Sequence, residues 1–331
     1  MANKTILVTG GAGYIGSHAC QALAAAGYTP VVYDNLSTGI PEAVRFGPLV
    51  VGDIRDGAAF KACIEEHKPA AVMHFAALIK VGESVEQPAD YYHVNTMGAW
   101  TILNAIRETA PASGPIPIVF SSTAAVYGIP ESSPIAEDAV LLPINPYGRS
   151  KLMVERMLAD YAAAYNLRSV ALRYFNAAGS SLDNAIGLNN RNPSHLIPSA
   201  LEAIMGTRPE MQVFGTDYPT PDGTAVRDYI HVVDLANAHV AALEYLLNGG
   251  ETTALNLGTG QGNSVNEVLD AVAGVVGRPV PTVKHPRRAG DPPALVADSS
   301  RAQKLFNWKP THSDLPTIVK TAYAWRQTLA D

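Results

Sequence analysis

The segment that most constrains this chain is its first: an apolar, β-branched run at Thr5–Thr9, followed at once by Gly10, Gly13 and Gly16. The run has the composition of a parallel strand buried on both faces. Ile15 then opens an apolar helical stretch that reaches about residue 27. Glycine suits such a strand-to-helix turn because of space. The turn needs unusual backbone angles, and a pyrophosphate reaches the amides only where no Cβ intervenes. The third glycine lets the helix lie close on its strand. Glycine-rich turns without a ligand are common, but a strand before and a helix after make this one a dinucleotide-binding turn. A second strand, 30–33, ends at Asp34. A carboxylate there accepts hydrogen bonds from both adenosine ribose hydroxyls and repels a 2′-phosphate, so the expected cofactor is NAD.

The 331 residues suffice for one large domain or two unequal lobes, and the net charge of −6 with no basic block argues against nucleic acid as a partner. No apolar run reaches membrane-spanning length, and residues 1–4 lack a signal peptide's hydrophobic region, so a cytoplasmic protein is expected. Cys20 and Cys63 fall in predicted helices, far from any metal-ligand spacing, and the nine histidines are scattered. No metal is expected.

Strands and helices alternate from the start, the pattern of a doubly wound α/β fold with a parallel sheet. A loop over 35–41 contains Asn35, Ser37, Thr38 and Gly39. A third strand, 48–51, ends at Gly52-Asp53-Ile54, with a helix following through His67. Asp53 either caps that helix or meets the adenine amino group, with Ile54 on the ring. A fourth strand, 70–74, runs into Phe75-Ala76-Ala77 and on to Lys80. Strand ends of open α/β sheets face the ligand crevice, so these small residues suit a cofactor wall. Lys80 is either a pyrophosphate ligand or a solvated lysine. A long helix is expected over 87–109, with Asn95 in it as a satisfied core group or a bridge to the cofactor side.

The fifth strand, 116–120, leads into Ser121-Ser122-Thr123-Ala124-Ala125, where clustered hydroxyls are either turn formers or a platform for substrate. Beyond a Pro-rich, acidic loop, Tyr147 and Lys151 stand at i and i+4 of a strongly helical segment reaching Asn166, so they share a face. A tyrosine with a pKa of about 10 is a poor base at neutral pH. A lysine ammonium and a nicotinamide cation nearby favour the phenolate, the tuning that a general base needs. The alternative is an ordinary surface pair. A sixth strand, 169–172, ends in Arg173-Tyr174-Phe175-Asn176, after which the alternation stops and Gly/Pro/Asn-rich segments take over. That suggests residues 1–175 as a dinucleotide-binding domain and 176–331 as mainly a smaller C-terminal α/β substrate lobe, some of whose segments return to the first. In it Arg227 and Arg288 stand beside tight loops and suit a diphosphate, with surface ion pairs to neighbouring aspartates as the alternative.

Ten segments together, TGGAGYIGSH, YDNLSTG, GDIRD, HFAALIKVGES, FSSTAAVYG, NPYGRSK, LRYFNAAG, VRDYIHV, LNLGTG and RRAGDPPALVAD, resemble the extended short-chain dehydrogenase/reductase family, in its UDP-sugar 4-epimerase branch. The resemblance spans almost the whole chain. It implies a Rossmann-type fold and the interconversion of UDP-galactose and UDP-glucose in galactose metabolism. In that scheme Tyr147 as phenolate takes the 4-hydroxyl proton while C4 gives hydride to tightly held NAD, and the 4-keto sugar turns over to be reduced on its other face. Lys151 orients the nicotinamide ribose and lowers the Tyr147 pKa, and Thr123 assists proton transfer. The resemblance lines the NAD with the glycine turn, Tyr14 and Ile15, with Asp34, Asn35, Ser37, Thr38 and Gly39, and with Asp53 and Ile54. It adds Phe75, Ala76, Ala77, Lys80, Asn95, Ser121, Tyr147, Lys151 and Tyr174, with Phe175 by the nicotinamide. Substrate contacts are implied at Lys80, Thr123, Ala124, Tyr147, Phe175, His195, Val213, Phe214, Tyr229 and Leu295, with Asn176, Leu196, Arg227, Arg288 and Asp291 holding the UDP portion. A homodimer through the helices near 87–109 and 147–166 is the tendency of such proteins.

Two positions depart from that pattern: Ser194-His195-Leu196 stands where relatives often carry Asn-Asn-Leu, and Leu295 is intermediate between the tyrosine and the small residues found there. The size at 295 bears on whether an N-acetyl group at sugar C2 fits. A 4,6-dehydratase would need an Asp-Glu pair after Thr123, where this chain has Ala124 and Ala125. Another UDP-sugar 4-epimerase and an NAD-sensing regulator are the remaining alternatives; the Tyr147/Lys151 pair argues against the regulator.

Overall fold

The computed structural model describes residues 4–189, 195–288 and 291–329. Ser194, Ala289 and Gly290, parts of two motifs quoted above, lie outside the described residues. Strand β1 is Thr5–Thr9, buried on both sides as its composition requires. Ile6 and Val8 enter one apolar cluster while Leu7 enters another, the period-two alternation of a central strand.

The first half continues with α1 (Tyr14–Ala25), β2 (Thr29–Asp34), β3 (Leu49–Val51), α2 (Gly57–His67), β4 (Ala71–His74), α3 (Val81–Glu86), α4 (Pro88–Tyr91), α5 (Gly98–Glu108), β5 (Ile118–Ser121), α6 (Pro146–Tyr165) and β6 (Ser169–Tyr174). The second half holds β7 (Asn176–Ala178), α7 (Leu196–Met205), β8 (Met211–Phe214), β9 (Val226–His231), α8 (Val232–Leu247), β10 (Thr253–Leu257), β11 (Gly262–Ser264), α9 (Val265–Val276), β12 (Thr282–His285), β13 (Ala294–Leu295), α10 (Ser300–Phe306) and α11 (Leu315–Thr328).

Seven strands form one parallel sheet in the order β10-β6-β5-β4-β1-β2-β3. Helices α1 and α8 cover one face through residues such as Leu23, Leu235 and Leu243. Helices α2, α5 and α6 cover the other with Phe60, Ile102 and Val154. The strand order reverses at β1, which lies between β2 and β4, and such a reversal opens a crevice at the carboxyl ends of the strands. The edge strand β10 comes from the second half and pairs Leu255 with Leu172 of β6.

The remaining strands build a smaller layer over those carboxyl ends: β9 is flanked by antiparallel β11 and by parallel β13 and β7, with β8 and β12 paired beside it. Helices α7, α9 and α11 bury Ile197, Leu201, Val268, Val272 and Ile318 beneath it. No helix among the described residues is long and apolar enough to cross a membrane.

One expectation gains detail and one needs correction. The helix expected over 87–109 runs from Pro88 to Glu108 as α4, a π-helical turn at Tyr92–Met97 and α5, with helical backbone angles at each junction. Gln87 sits at φ −129°, ψ 58°, outside helical space, ahead of Pro88, which lacks an amide hydrogen. The helix expected directly after Asp53 starts later, and Asp56 caps it by accepting from the Ala59 amide at 3.0 Å. Cys20 and Cys63 are buried free thiols on α1 and α2.

Candidate active site

Gly10 sits at φ +72°, and a Cβ there would lie 2.5 Å from the Ala76 amide nitrogen, so the turn is wedged between two strand ends. At Gly16 a Cβ would lie 2.2 Å from the Gly10 carbonyl oxygen, which is why helix and turn pack without a side chain between them. Gly13 differs: a Cβ would meet only the Gly10 oxygen, at 3.2 Å, and this residue is the N-cap of α1 with no side-chain capping bond. The first-turn amides of α1 are therefore left for an anion at the positive end of the helix. Asp34 closes the crevice at the end of β2, with one carboxylate oxygen accepting from the Ala12 amide at 3.0 Å and the other from Leu36 at 2.9 Å. The loop after it folds back, Asn35 Oδ1 accepting from the Ser37 amide and Gly39 packing against Ala12. These residues fit a dinucleotide.

Asp53 is no helix cap. Its carboxylate is forked by Arg55, at 2.9 and 2.7 Å, and also accepts from Asn35 Nδ2 at 3.0 Å, contacts that hold it well below the usual carboxylate range. Ile54 turns its side chain into the core against Gly98. Phe75, Ala76 and Ala77 are half-buried at the end of β4, whereas Lys80 is exposed, 3.9 Å from Glu83. Asn95 is fully engaged: its carbonyl accepts from the Leu78 amide at 2.8 Å while its amide donates to the Leu78 carbonyl and to Ser150 Oγ. It ties the loop after β4 to α6.

Helix α6 begins where Asn145 accepts from the Gly148 amide at 2.8 Å, and Pro146 occupies its first turn. That cap puts Tyr147 in the first turn and Lys151 one turn deeper. The Thr123 hydroxyl, which accepts from the Ala125 amide at 3.1 Å, stands beside the Tyr147 phenol. Burial raises the Tyr147 pKa, and this hydroxyl pulls it back. Lys151 is 3% exposed, donates to the Ser121 carbonyl at 2.8 Å, and lies 4.9 Å from the centre of the Phe120 ring. Burial lowers its pKa to about 7. Lys151 turns its ammonium to the strand end at Ser121. Beneath it His74 is buried, pairs with Thr9 Oγ1 at 2.7 Å, and is held neutral, its pKa lowered to about 3 by burial and the Lys151 charge. Tyr174 pairs with the Ser121 hydroxyl at 2.5 Å.

On the opposite wall, Arg227 pairs with Asp291 and donates to the Val226 carbonyl at 2.7 Å. Arg288 lies over the Phe214 ring, 4.0 Å from its centre, and Phe214 stacks on His285. Asn176 donates to the Asp228 carbonyl at 3.0 Å. His195 and Leu196 stand at the start of α7, His195 exposed. Val213 and Tyr229, expected to touch substrate, instead bury their side chains in the apolar cluster of the small layer. Alternation along β8 sets Val213 opposite Phe214, whereas Tyr229 shares the face of β9 that carries Arg227.

A model of the NAD dependent epimerase/dehydratase family matches residues 6–258. The chain belongs to that family. It is 52% identical over 325 residues to a UDP-glucose 4-epimerase of Rhizobium leguminosarum bv. trifolii, covering 98% of each chain. The crystal structure of UDP-glucose 4-epimerase from Brucella ovis in complex with NAD superposes with a TM-score of 0.93 at 50% identity, covering 97% of this chain and 98% of that one. The UDP-Glc/GlcNAc 4-epimerase of Campylobacter jejuni superposes at 0.85 with 40% identity, covering 98% and 99%.

Within this epimerase/dehydratase family the residues after Thr123 are informative. Ala124 is buried and packs in one cluster with Tyr127, Phe175 and Leu295, leaving no acid or base for elimination of water. Leu295 is the β13 partner of Arg227, so the position of intermediate size lies between the arginine and that cluster. Sequence reading missed a buried ion pair behind the platform. Glu155 on α6 is gripped by Arg173 of β6 at 2.6 Å, both side chains under 10% exposed. The available signal was spacing, since Tyr147, Lys151 and Glu155 stand four residues apart.

Proposed function

We propose that this NAD-dependent epimerase interconverts UDP-galactose and UDP-glucose, as part of galactose metabolism. The observation that carries the reading is the Tyr147 phenol beside Thr123, one turn from buried Lys151, with alanines at 124 and 125. In this reading Tyr147 and Thr123 take the proton from the sugar 4-hydroxyl and later return it. NAD, when bound, supplies the transient oxidation at C4, accepting a hydride and giving it back, so no net redox occurs. The Lys151 ammonium holds the nicotinamide ribose and, with the nicotinamide charge, shifts Tyr147 toward phenolate against the opposing effect of burial. The amides of the Gly10–Gly13–Gly16 turn hold the pyrophosphate, Asp34 and Asn35 the adenosine ribose side, and Phe75, Tyr174 and Phe175 the nicotinamide side. Arg227 and Arg288 grip the substrate diphosphate, Phe214 and Leu196 the uracil side, and Asn176 and Asp291 the region between. Fixing the diphosphate leaves the 4-keto sugar free to turn over between the oxidation at C4 and its re-reduction.

A cytoplasmic homodimer is part of the proposal. Its support is the two free buried thiols together with exposed Met97, Trp100 and Met153 on the π turn, α5 and α6, an apolar face suited to a second copy. A second reading, acceptance of N-acetylated UDP-sugars, is favoured by Leu295 standing where a tyrosine would fill the space beside Phe175. The test is to incubate purified protein with UDP-galactose and, separately, UDP-GalNAc, adding no NAD, and to identify the sugars formed. UDP-glucose from the first alone supports the main reading, and products from both add the second. No product from either, with NAD supplied as well, overturns both. Tyr147→Phe is expected to lose ~10²- to 10⁴-fold in kcat while keeping its NAD.

A further inference from the structure

The three residues at the end of β5 each meet one residue of a single face of α6. Thr123 stands beside the Tyr147 phenol, the Ser121 carbonyl accepts from Lys151 at 2.8 Å, and Ser122 Oγ donates to Glu155 Oε1 at 2.5 Å. The third contact has no part in the chemistry described so far. Ser122 is 1% exposed, and its own amide donates to the Leu172 carbonyl at 2.9 Å. The Glu155 carboxylate is forked by Arg173, with Nε at 3.0 and 3.2 Å and Nη2 at 2.6 Å. Arg173 Nη1 donates to the Tyr127 hydroxyl at 2.9 Å, and Tyr127 donates in turn to Asn256 Oδ1 at 2.8 Å. The segment bearing Thr123 is therefore pinned on both sides, at Ser122 and at Tyr127, to the same guanidinium–carboxylate pair.

We propose that Ser122, Glu155 and Arg173 form a positioning device that keeps the Thr123 hydroxyl beside the Tyr147 phenol. The proposal rests on Tyr147 being the proton carrier. Stability alone does not explain the device, because well-packed apolar residues in place of a buried ion pair are often as stable or more so. A forked pair has one geometry, whereas an apolar contact tolerates sliding, and a reacting group displaced by about 1 Å loses on the order of 100-fold in rate. The ionisable groups facing Tyr147 are Lys151 on its own helix, Tyr91 on α4 with ring centres 6.5 Å apart, and Tyr174 at the end of β6. None of them is altered by removing the Ser122 hydroxyl, so a shift in the titration of Tyr147 would report on Thr123.

The experiment compares the parent holoenzyme with Ser122→Ala, Glu155→Gln and the double variant, reading kcat and KM for UDP-galactose across pH, bound NAD and Tm. Ser122→Ala removes a hydroxyl and no charge, so it serves where a Glu155 variant fails to fold. Expected are a fall in kcat of ~10-fold or more with KM and bound NAD unchanged, and an acid limb of kcat displaced to higher pH. The double variant should be no worse than the worse single one, as for two ends of one contact. An active parent whose Ser122→Ala form keeps its kcat and acid limb overturns the proposal. So does a loss of kcat that only tracks lost NAD or lowered Tm. A parent with no turnover overturns the reading of the site itself, and the device with it.

Discussion

The two walls of the crevice are built on opposite principles. On the glycine-turn side the ligand-facing groups are backbone amides and buried side chains whose places are fixed by packing: Gly16 cannot take a Cβ, and Asp34 already accepts two amide hydrogens. On the side of the small layer the ligand-facing groups are long side chains paired with one another, Arg227 with Asp291 and Arg288 with the Phe214 ring. A dinucleotide would meet a shape already made. A diphosphate would meet cations that must exchange partners, and exchange permits release after every turnover. Under the proposed function, this contrast lets one crevice hold NAD while releasing substrate.

The largest expected effect lies in the packed wall. Lys151 has its pKa lowered from 10.5 to about 7, so burial disfavours its charged form in the folded state. The unfolded chain then binds the extra proton, the cost to stability is complete below pH 7, and it fades as pH rises to 10.5. Lys151→Met is therefore expected to stabilise the NAD-free protein by roughly 4 kcal/mol at acid to neutral pH, with the gain gone in alkali. Chemical denaturation across pH measures it; a gain independent of pH would place the lysine in water and break the contrast. Next comes Gly16→Ala, whose methyl group has only backbone to meet. A loss of ~1–3 kcal/mol in stability and a protein purified without NAD are expected, read by denaturation and by cofactor content. Smallest is Arg227→Met, which removes one charge-assisted contact and should raise KM for UDP-galactose by ~10-fold with NAD content unchanged. If it lost NAD as readily as Gly16→Ala, the two walls would not be separate devices.

The same contrast decides what was legible in the sequence. Thr5–Thr9, the glycine spacing, Asp34 and the Tyr147/Lys151 pair could be read because each rests on neighbours within a turn or a strand. The start of α4 could be read from Pro88, but the π turn between α4 and α5 could not, since its Asn95 is bonded to Ser150, a residue 55 positions away. In Gly52-Asp53-Ile54-Arg55-Asp56 the sequence offers Asp53 as a cap, but the helix begins later, at Asp56, and Arg55 forks Asp53. Glu155 and Arg173 looked like ordinary helix and strand-end charges; their pairing exists only once β6 lies beside β5. That the side chain of Val213 goes to the apolar cluster could not be read, because alternation in a short strand gives no sign of which face meets the crevice.

The placement of β10 also governs how the molecule comes into being. Its parallel pairing with β6 joins segments separated by the whole of β7 to α8, a contact of high sequence separation and correspondingly slow closure. During synthesis β6 emerges long before its partner, with an open hydrogen-bonding edge beside apolar Val170 and Leu172. The nascent chain therefore carries an adhesive strand until residue 257 has left the ribosome, and a chain cut after α8 would keep it for good.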